Sequence, residues 1–128
     1  MTFTDYGQAT QHAFMGDVTD RDHILPGGAQ LAVAADWTGL TDNLVPAGTL
    51  VGRTIAEQQA GADFGPAADA DDEVFIVHDP TYVGEGKDRG TNLVRHGSVI
   101  KSNFLPSFAG ASATVKTKLQ AAYTLIVG

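Results

Sequence analysis

Residues 73–106 read EVFIVHDPTYVGEGKDRGTNLVRHGSVIKSNFLP, and the fold class follows from their order. Val74–Phe75–Ile76–Val77 is a compact run of β-branched and aromatic residues. Acidic residues precede it and His78–Asp79–Pro80 closes it, which is the pattern of a buried strand. Gly84–Glu85–Gly86–Lys87–Asp88–Arg89–Gly90 has nothing apolar to bury and reads as a solvated loop. Leu93–Val94 and Val99–Ile100 then flank the polar centre Arg95–His96–Gly97–Ser98. The expected grammar is strand, loop, strand, turn, strand, with no catalytic constellation in it.

Working outward, Leu31–Ala35 is expected as a short apolar strand after a turn at Pro26–Gly27–Gly28. Leu44–Val45 and Leu50–Arg53 are expected as a strand pair, with Pro46 and Gly48 making the turn or bulge between them and Ile55 closing it. Residues 56–72 (AEQQAGADFGPAADADD) are rich in Ala, Gly and Asp and read as a long exposed excursion holding one aromatic, Phe64. Toward the end of the chain, Phe108, Ala111, Val115, Leu119 and Ala122 recur at three- and four-residue steps. They predict an amphipathic helix over 111–122, with Lys116 and Lys118 off the stripe and toward its C-terminal part, where the dipole favours cations. Tyr123–Val127 is expected as a final strand. Residues 1–26 show no period, because Gly7 and Gly16 interrupt any helix or strand, yet they carry Phe3, Tyr6, Phe14 and Met15. Aromatic content of that kind separates the segment from an ordinary disordered tail and leaves two readings open: a frayed terminus laid over the core, or an arm that orders against a partner with Phe3, Tyr6 and Phe14 as anchors.

The chain has 128 residues and a net charge of −7, the size of one domain whose surface repels nucleic acid and anionic membranes. There is no cysteine, so neither disulfides nor a thiolate metal site hold the fold. No apolar run approaches the roughly 20 residues of a membrane span, and the first residues lack the layout of a signal peptide, so a cytosolic start is the default expectation.

Candidate chemistry is sparse. Asp69, Asp71, Asp72 and Glu73 are dense enough to suggest a calcium loop, but its required Gly and Glu positions hold Val74 and Pro80; a solvated acidic rim is the expectation. His78 and His96, with Asp79 adjacent, lack a short ligand spacing such as HxH or HExxH and read as surface or satisfied histidines. Ser98 and Ser102 lack a nucleophile-elbow setting. The Gly84–Gly90 loop does not meet the Walker spacing. No catalytic residue, metal or cofactor is expected.

From Arg95–His96–Gly97–Ser98–Val99 onward, the order of features resembles a known family. A strand ends in a Gly-centred hairpin, Phe104–Leu105–Pro106 follow, then a short Lys-bearing helix, then Tyr123–Thr124–Leu125–Ile126–Val127. With the opening Thr2–Phe3–Thr4–Asp5–Tyr6, this is similar to the head decoration proteins of tailed bacteriophages, the lambda gpD-like capsid-stabilising class. The similarity covers the last third of the chain and its start. It implies a mainly β fold, a small β-tulip-like barrel with one short helix and long surface loops, over residues 27–128 behind an extended arm at 1–26.

The resemblance further implies a structural virion protein that is not an enzyme, made in the host cytoplasm and seated as homotrimers on the outside of an expanded shell. Its partner would be the major capsid protein, reached by an arm that adds a strand. Thr2, Phe3, Thr4, Asp5, Tyr6, Phe14 and Met15 are the expected arm contacts; Phe64, Glu85, Lys87, Asp88 and Arg89 are the expected loop contacts. The chain departs from the family in the longer stretches 56–72 and 84–90. Two alternatives stand beside this: a virion surface adhesion or display module using Phe64 and the Gly84–Gly90 loop, and a small metal-binding β-barrel using His78 and His96.

Overall fold

The computed structural model describes Phe14, residues 29–86 and residues 89–127. Among the described residues nine short strands lie in the order β1 (Ala29–Gln30), β2 (Leu44–Val45), β3 (Leu50–Arg53), β4 (Gly65–Pro66), β5 (Glu73–Ile76), β6 (Thr81–Tyr82), β7 (Gly90–Thr91), β8 (Val99–Lys101) and β9 (Thr124–Ile126). The described α-helices are α1 (Ile55–Gln59) and α2 (Ala113–Ala122), with 3-10 turns at Ala34–Asp36 and Ser102–Phe104. Among the described residues the strands form four small sheets and no closed barrel: β4-β3-β5, β1-β7 and β2-β6 are antiparallel, and β8-β9 is parallel. The regular structure of the described residues is mainly strand, with one helix longer than two turns.

The β3–β5 ladder is the partition around which the apolar residues sort. Leu50 faces Ile76, Val51 faces Phe75 and Gly52 faces Val74 across it. Successive side chains of a strand point to opposite faces, so each strand serves both sides. Leu50, Val74 and Ile76 join a first cluster with Val94, Ile100, Leu105, Val115, Leu119 and Tyr123. Val51, Phe75 and Val77 join a second cluster with Leu31, Trp37, Val45, Phe64, Val83 and Leu93. Burial on both faces is why the run at 74–77 is continuously apolar rather than alternating.

The first cluster is closed by α2. Ser112 caps the helix, its Oγ accepting from the Val115 N–H at 3.1 Å. Val115 and Leu119 are buried, and Phe108, Ala111 and Ala122 pack against the same cluster, as the spacing predicts. The lysines differ from expectation: no basic residue lies in the last turn. Lys118 Nζ instead donates to the Asp69 carbonyl at 2.6 Å and to that of Asp71. Because α2 lies between β8 and β9, the two strands can pair in parallel, which a tight hairpin cannot achieve.

Three expectations are corrected. Leu44–Val45 and Leu50–Arg53 are strands, but not partners: β2 pairs with β6, while β3 sits between β4 and β5. Gly48, at φ +87°, turns the chain from one ladder into the other. Ile55 does not close a strand; Thr54 opens α1 with a capping box shared with Glu57. Leu31–Ala35 is not a strand either, since pairing stops at Gln30 apart from a single bridge of Leu31 to Phe64. Ala34–Ala35–Asp36 carry no β-branched side chain and turn, and the Trp37 indole N–H donates to the Ala32 carbonyl at 3.0 Å.

Removing side-chain volume at the shared ladder is predicted to unfold both clusters. Ile76→Ala, at a position with no exposure, should cost about 2–5 kcal/mol in chemical denaturation. Ile55→Ala, at a position 53 % exposed, should stay within about 0.5 kcal/mol of the parent.

Candidate functional site

The expected arm residues Thr2, Phe3, Thr4, Asp5, Tyr6 and Met15 lie outside the described residues, as do Lys87, Asp88 and the turn at 26–28. Phe14 is described, and its place corrects the expectation that it contacts a partner. It is 1 % exposed and belongs to the first cluster. Its carbonyl accepts from the Lys101 N–H at 2.5 Å, at the end of β8. Gly48 packs so close that an added Cβ would lie 2.8 Å from Pro106 Cδ and 3.2 Å from the Phe14 ring.

The loop contacts divide in a similar way. Glu85 is exposed at the turn after β6. Phe64 is not a surface residue: it is 4 % exposed and meets the Phe75 ring edge-on at 5.8 Å, with the Arg53 guanidinium 4.2 Å from its centroid. Arg89 is held inward, its Nε donating to the Leu31 carbonyl at 2.9 Å and its Nη2 to Asp63 Oδ2 at 3.3 Å. The stretch 56–72 is therefore not an exposed excursion throughout. It begins as a capped helix and returns as β4, the edge strand on β3, with Phe64 tucked beneath.

The expected solvated acidic rim holds for Asp69 and Asp72, which are exposed, while Asp71 is buried, and all of these carboxylates also hold structural bonds. Asp72 Oδ2 accepts from the Ile55 N–H at 2.8 Å, and Glu73 pairs with Arg53 directly across the ladder. The Asp69 carboxylate accepts from the Ser112 hydroxyl. Asp71 is 6 % exposed, and its Oδ2 accepts from the Ala68 N–H at 2.8 Å. An added Cβ at Gly52 would sit 2.5 Å from that oxygen, so glycine is required for the close approach. Burial raises the Asp71 pKa; the Ala68 N–H and Lys118 oppose this, and the carboxylates of Glu57 and Asp72 add to it.

The histidines are placed by packing. His96 stacks on Phe75 at 4.0 Å and meets Tyr123 edge-on at 5.3 Å. Its Nε2 lies 2.9 Å from the Val74 carbonyl, an acceptor, so that nitrogen carries its hydrogen and does not present a lone pair to a metal. His78 is 3 % exposed with Nδ1 3.1 Å from Asp79 Oδ2, a carboxylate oxygen that accepts from Asn92 Nδ2 at 2.9 Å. Among the described residues no three His, Asp or Glu side chains gather to hold a metal ion. No described helix is long and apolar enough to cross a membrane.

Three exposed apolar residues escaped sequence reading. Phe104 is 48 % exposed, Ile126 40 % and Val127 84 %. Ile126 lies at the corner where β8 ends: it is the register partner of Lys101, and Ser102 Oγ donates to its carbonyl at 3.2 Å, while Phe104 ends the 3-10 turn that begins at Ser102. The Phe14 carbonyl binds Lys101 at the same corner. Alternation along β9 carried the signal, since Thr124 and Ile126 share a face on any strand through them. Nearby, a groove of about 440 Å³ runs between Trp37, Pro46, Leu50, Pro106 and Val115.

No family model matches the chain, and neither a curated protein nor a solved structure does.

The buried carboxylate at 71 gives a pH prediction. Its folded pKa is raised above the ordinary 3.8, so its favourable contribution is complete below that value and is lost as pH rises through the raised one. Stability of the parent relative to Asp71→Asn should therefore fall with rising pH across this window and level off above it, as read from urea midpoints on both proteins.

Proposed function

We propose that this chain is a non-enzymatic decoration protein of a tailed-phage head, binding the outside of the expanded shell as trimers and holding it against the pressure of packed DNA. The observation that carries the reading is the corner where Phe14 binds the end of β8. Phe14 is seated there, next to a strand end that carries exposed Ile126, and the sequence before it holds Phe3 and Tyr6. An extended arm adding a strand to a partner, next to an apolar contact, is a recurring mode of peptide capture. On this reading the four small sheets around two apolar clusters stand in for the family's β-tulip barrel.

The energetics suit a cement. Ordering an arm costs conformational entropy, so one copy binds modestly, and trimeric clustering multiplies the affinity without new contacts. Binding that favours the expanded shell over its precursor stabilises the expanded state by linkage. The net charge of −7 keeps the free protein from adhering to the DNA it helps confine. Cofactor and metal have no part in this role.

The test is co-sedimentation of the purified protein with expanded shells that lack a decoration protein. Saturation near one copy per major capsid protein is expected, with weak binding to unexpanded shells. Deleting residues 2–13, which spares Phe14, should weaken binding about a hundredfold by abolishing the multivalent arm contacts. A folded protein that does not bind any such shell refutes the role.

A further inference from the structure

We infer that the cleft between β1, α1 and the Arg53–Glu73 end of the central ladder is a binding site for a neutral polyhydroxyl ligand, a saccharide of one or two rings. The inference does not depend on the decoration role, because every group it uses stands on the folded body.

The cleft has a volume of about 490 Å³, ordinary for a small-molecule site. Arg53 and Glu73 line it from the last register pair of the β3–β5 ladder, Gln58 from α1, Asp63 from the loop after α1 and Gln30 from β1. Phe64 and Phe75 give it an apolar lining.

The charged groups are held in place by the protein itself. Arg53 donates through Nε to Glu73 Oε1 and through Nη1 to the Ala62 carbonyl at 2.9 Å, with its guanidinium 4.2 Å from the Phe64 centroid. Asp63 Oδ2 accepts from Arg89 Nη2 at 3.3 Å, and Arg89 is tied in turn to the Leu31 carbonyl. Among the described residues, Arg53 Nη2, Glu73 Oε2, Asp63 Oδ1 and the Gln30 and Gln58 amides hold no protein partner. Polar groups already fixed in this way lose little freedom when a ligand takes up their remaining bonds.

The mixture of groups sets the ligand class. Arg53 is balanced by Glu73 and Asp63 by Arg89, so the cleft has no net charge with which to attract a phosphate or a metal ion. A carboxylate oxygen only accepts, a guanidinium only donates, and an amide does both. A hydroxyl also does both, so neighbouring hydroxyls of one molecule can satisfy all three kinds at once. An apolar ligand would instead strip water from these groups without replacing its hydrogen bonds. The C–H groups that lie between the hydroxyls of a sugar suit the lining of Phe64 and Phe75.

The test is a titration of the isotopically labelled, full-length protein with glucose, galactose, N-acetylglucosamine, maltose and lactose, followed by nuclear magnetic resonance. Inorganic phosphate and calcium chloride are titrated separately. At least one sugar should move the amide signals of Gln58, Ala62, Asp63 and Glu73 with a Kd of about 1–10 mM, and leave those of Trp37 and Ala111, in the other groove, in place. The double variant Gln30→Ala, Gln58→Ala, altered at two exposed positions, should weaken that Kd about tenfold and keep Tm within about 2 °C of the parent. No movement of these signals by any of the sugars at about ten times the expected Kd overturns the site. So do shifts that the double variant leaves unweakened, and a stronger response at the same residues to phosphate or calcium. The titration of the unaltered protein decides the matter if the variant does not fold. Sugar binding without shell binding would refute the decoration role and leave the cleft standing, and the converse result would do the opposite.

Discussion

The rest of the structure depends on a strand whose two faces are both buried. Glu73–Ile76 pairs with Leu50–Arg53 so that alternate residues enter two different apolar clusters. Neither cluster is large, and a chain of this size has little surplus stability, so sharing one wall lets each face of a single ladder bury area that two separate sheets would duplicate. The polar connections then brace that wall. Tyr123 Oη donates to the Val94 carbonyl at 2.6 Å and accepts from the Ile76 N–H at 3.3 Å, tying the end of α2 to the ladder. Burial raises the Tyr123 pKa, which keeps the hydroxyl neutral and able to donate.

The same economy shapes the surface. Short ladders leave many strand ends, and the chain closes most of them with local devices: the Thr54 capping box, the Arg53–Glu73 pair, the inward Arg89. The corner at β8 and β9 is treated differently, with apolar side chains left in solvent beside the point where Phe14 is seated. The body is tied elsewhere and leaves apolar side chains in solvent at this corner.

Much of this could be read from the residues alone where the signal is local. The run at 74–77 and the spacing of Val115, Leu119 and Ala122 carry their own periodicity, and both elements stand close to where the pattern puts them. Pairing was not legible, because Leu44–Val45 and Leu50–Arg53 look like hairpin partners to any local rule and are separated by the demands of distant strands. Isolated aromatics misled in the same sense. Phe14 and Phe64 sit in polar, glycine-rich sequence that reads as exposed, and only the assembled clusters have room for them. The acidic residues at 69–73 read as a solvated run, which Asp69 and Asp72 are, but their partners Ser112, Lys118, Ile55 and Arg53 come from 17 or more positions away.

Native-state hydrogen exchange tests the central claim, that one shared ladder makes the two clusters a single cooperative unit. The Val94 N–H, bonded to the Ile76 carbonyl at 2.8 Å, reports on the first cluster; the Ala32 N–H, bonded to the Phe64 carbonyl at 2.8 Å, reports on the second. The account predicts that both exchange only through global unfolding, with the same opening free energy and the same dependence on denaturant. Distinct opening free energies, with one cluster exchanging while the other stays protected, would contradict it.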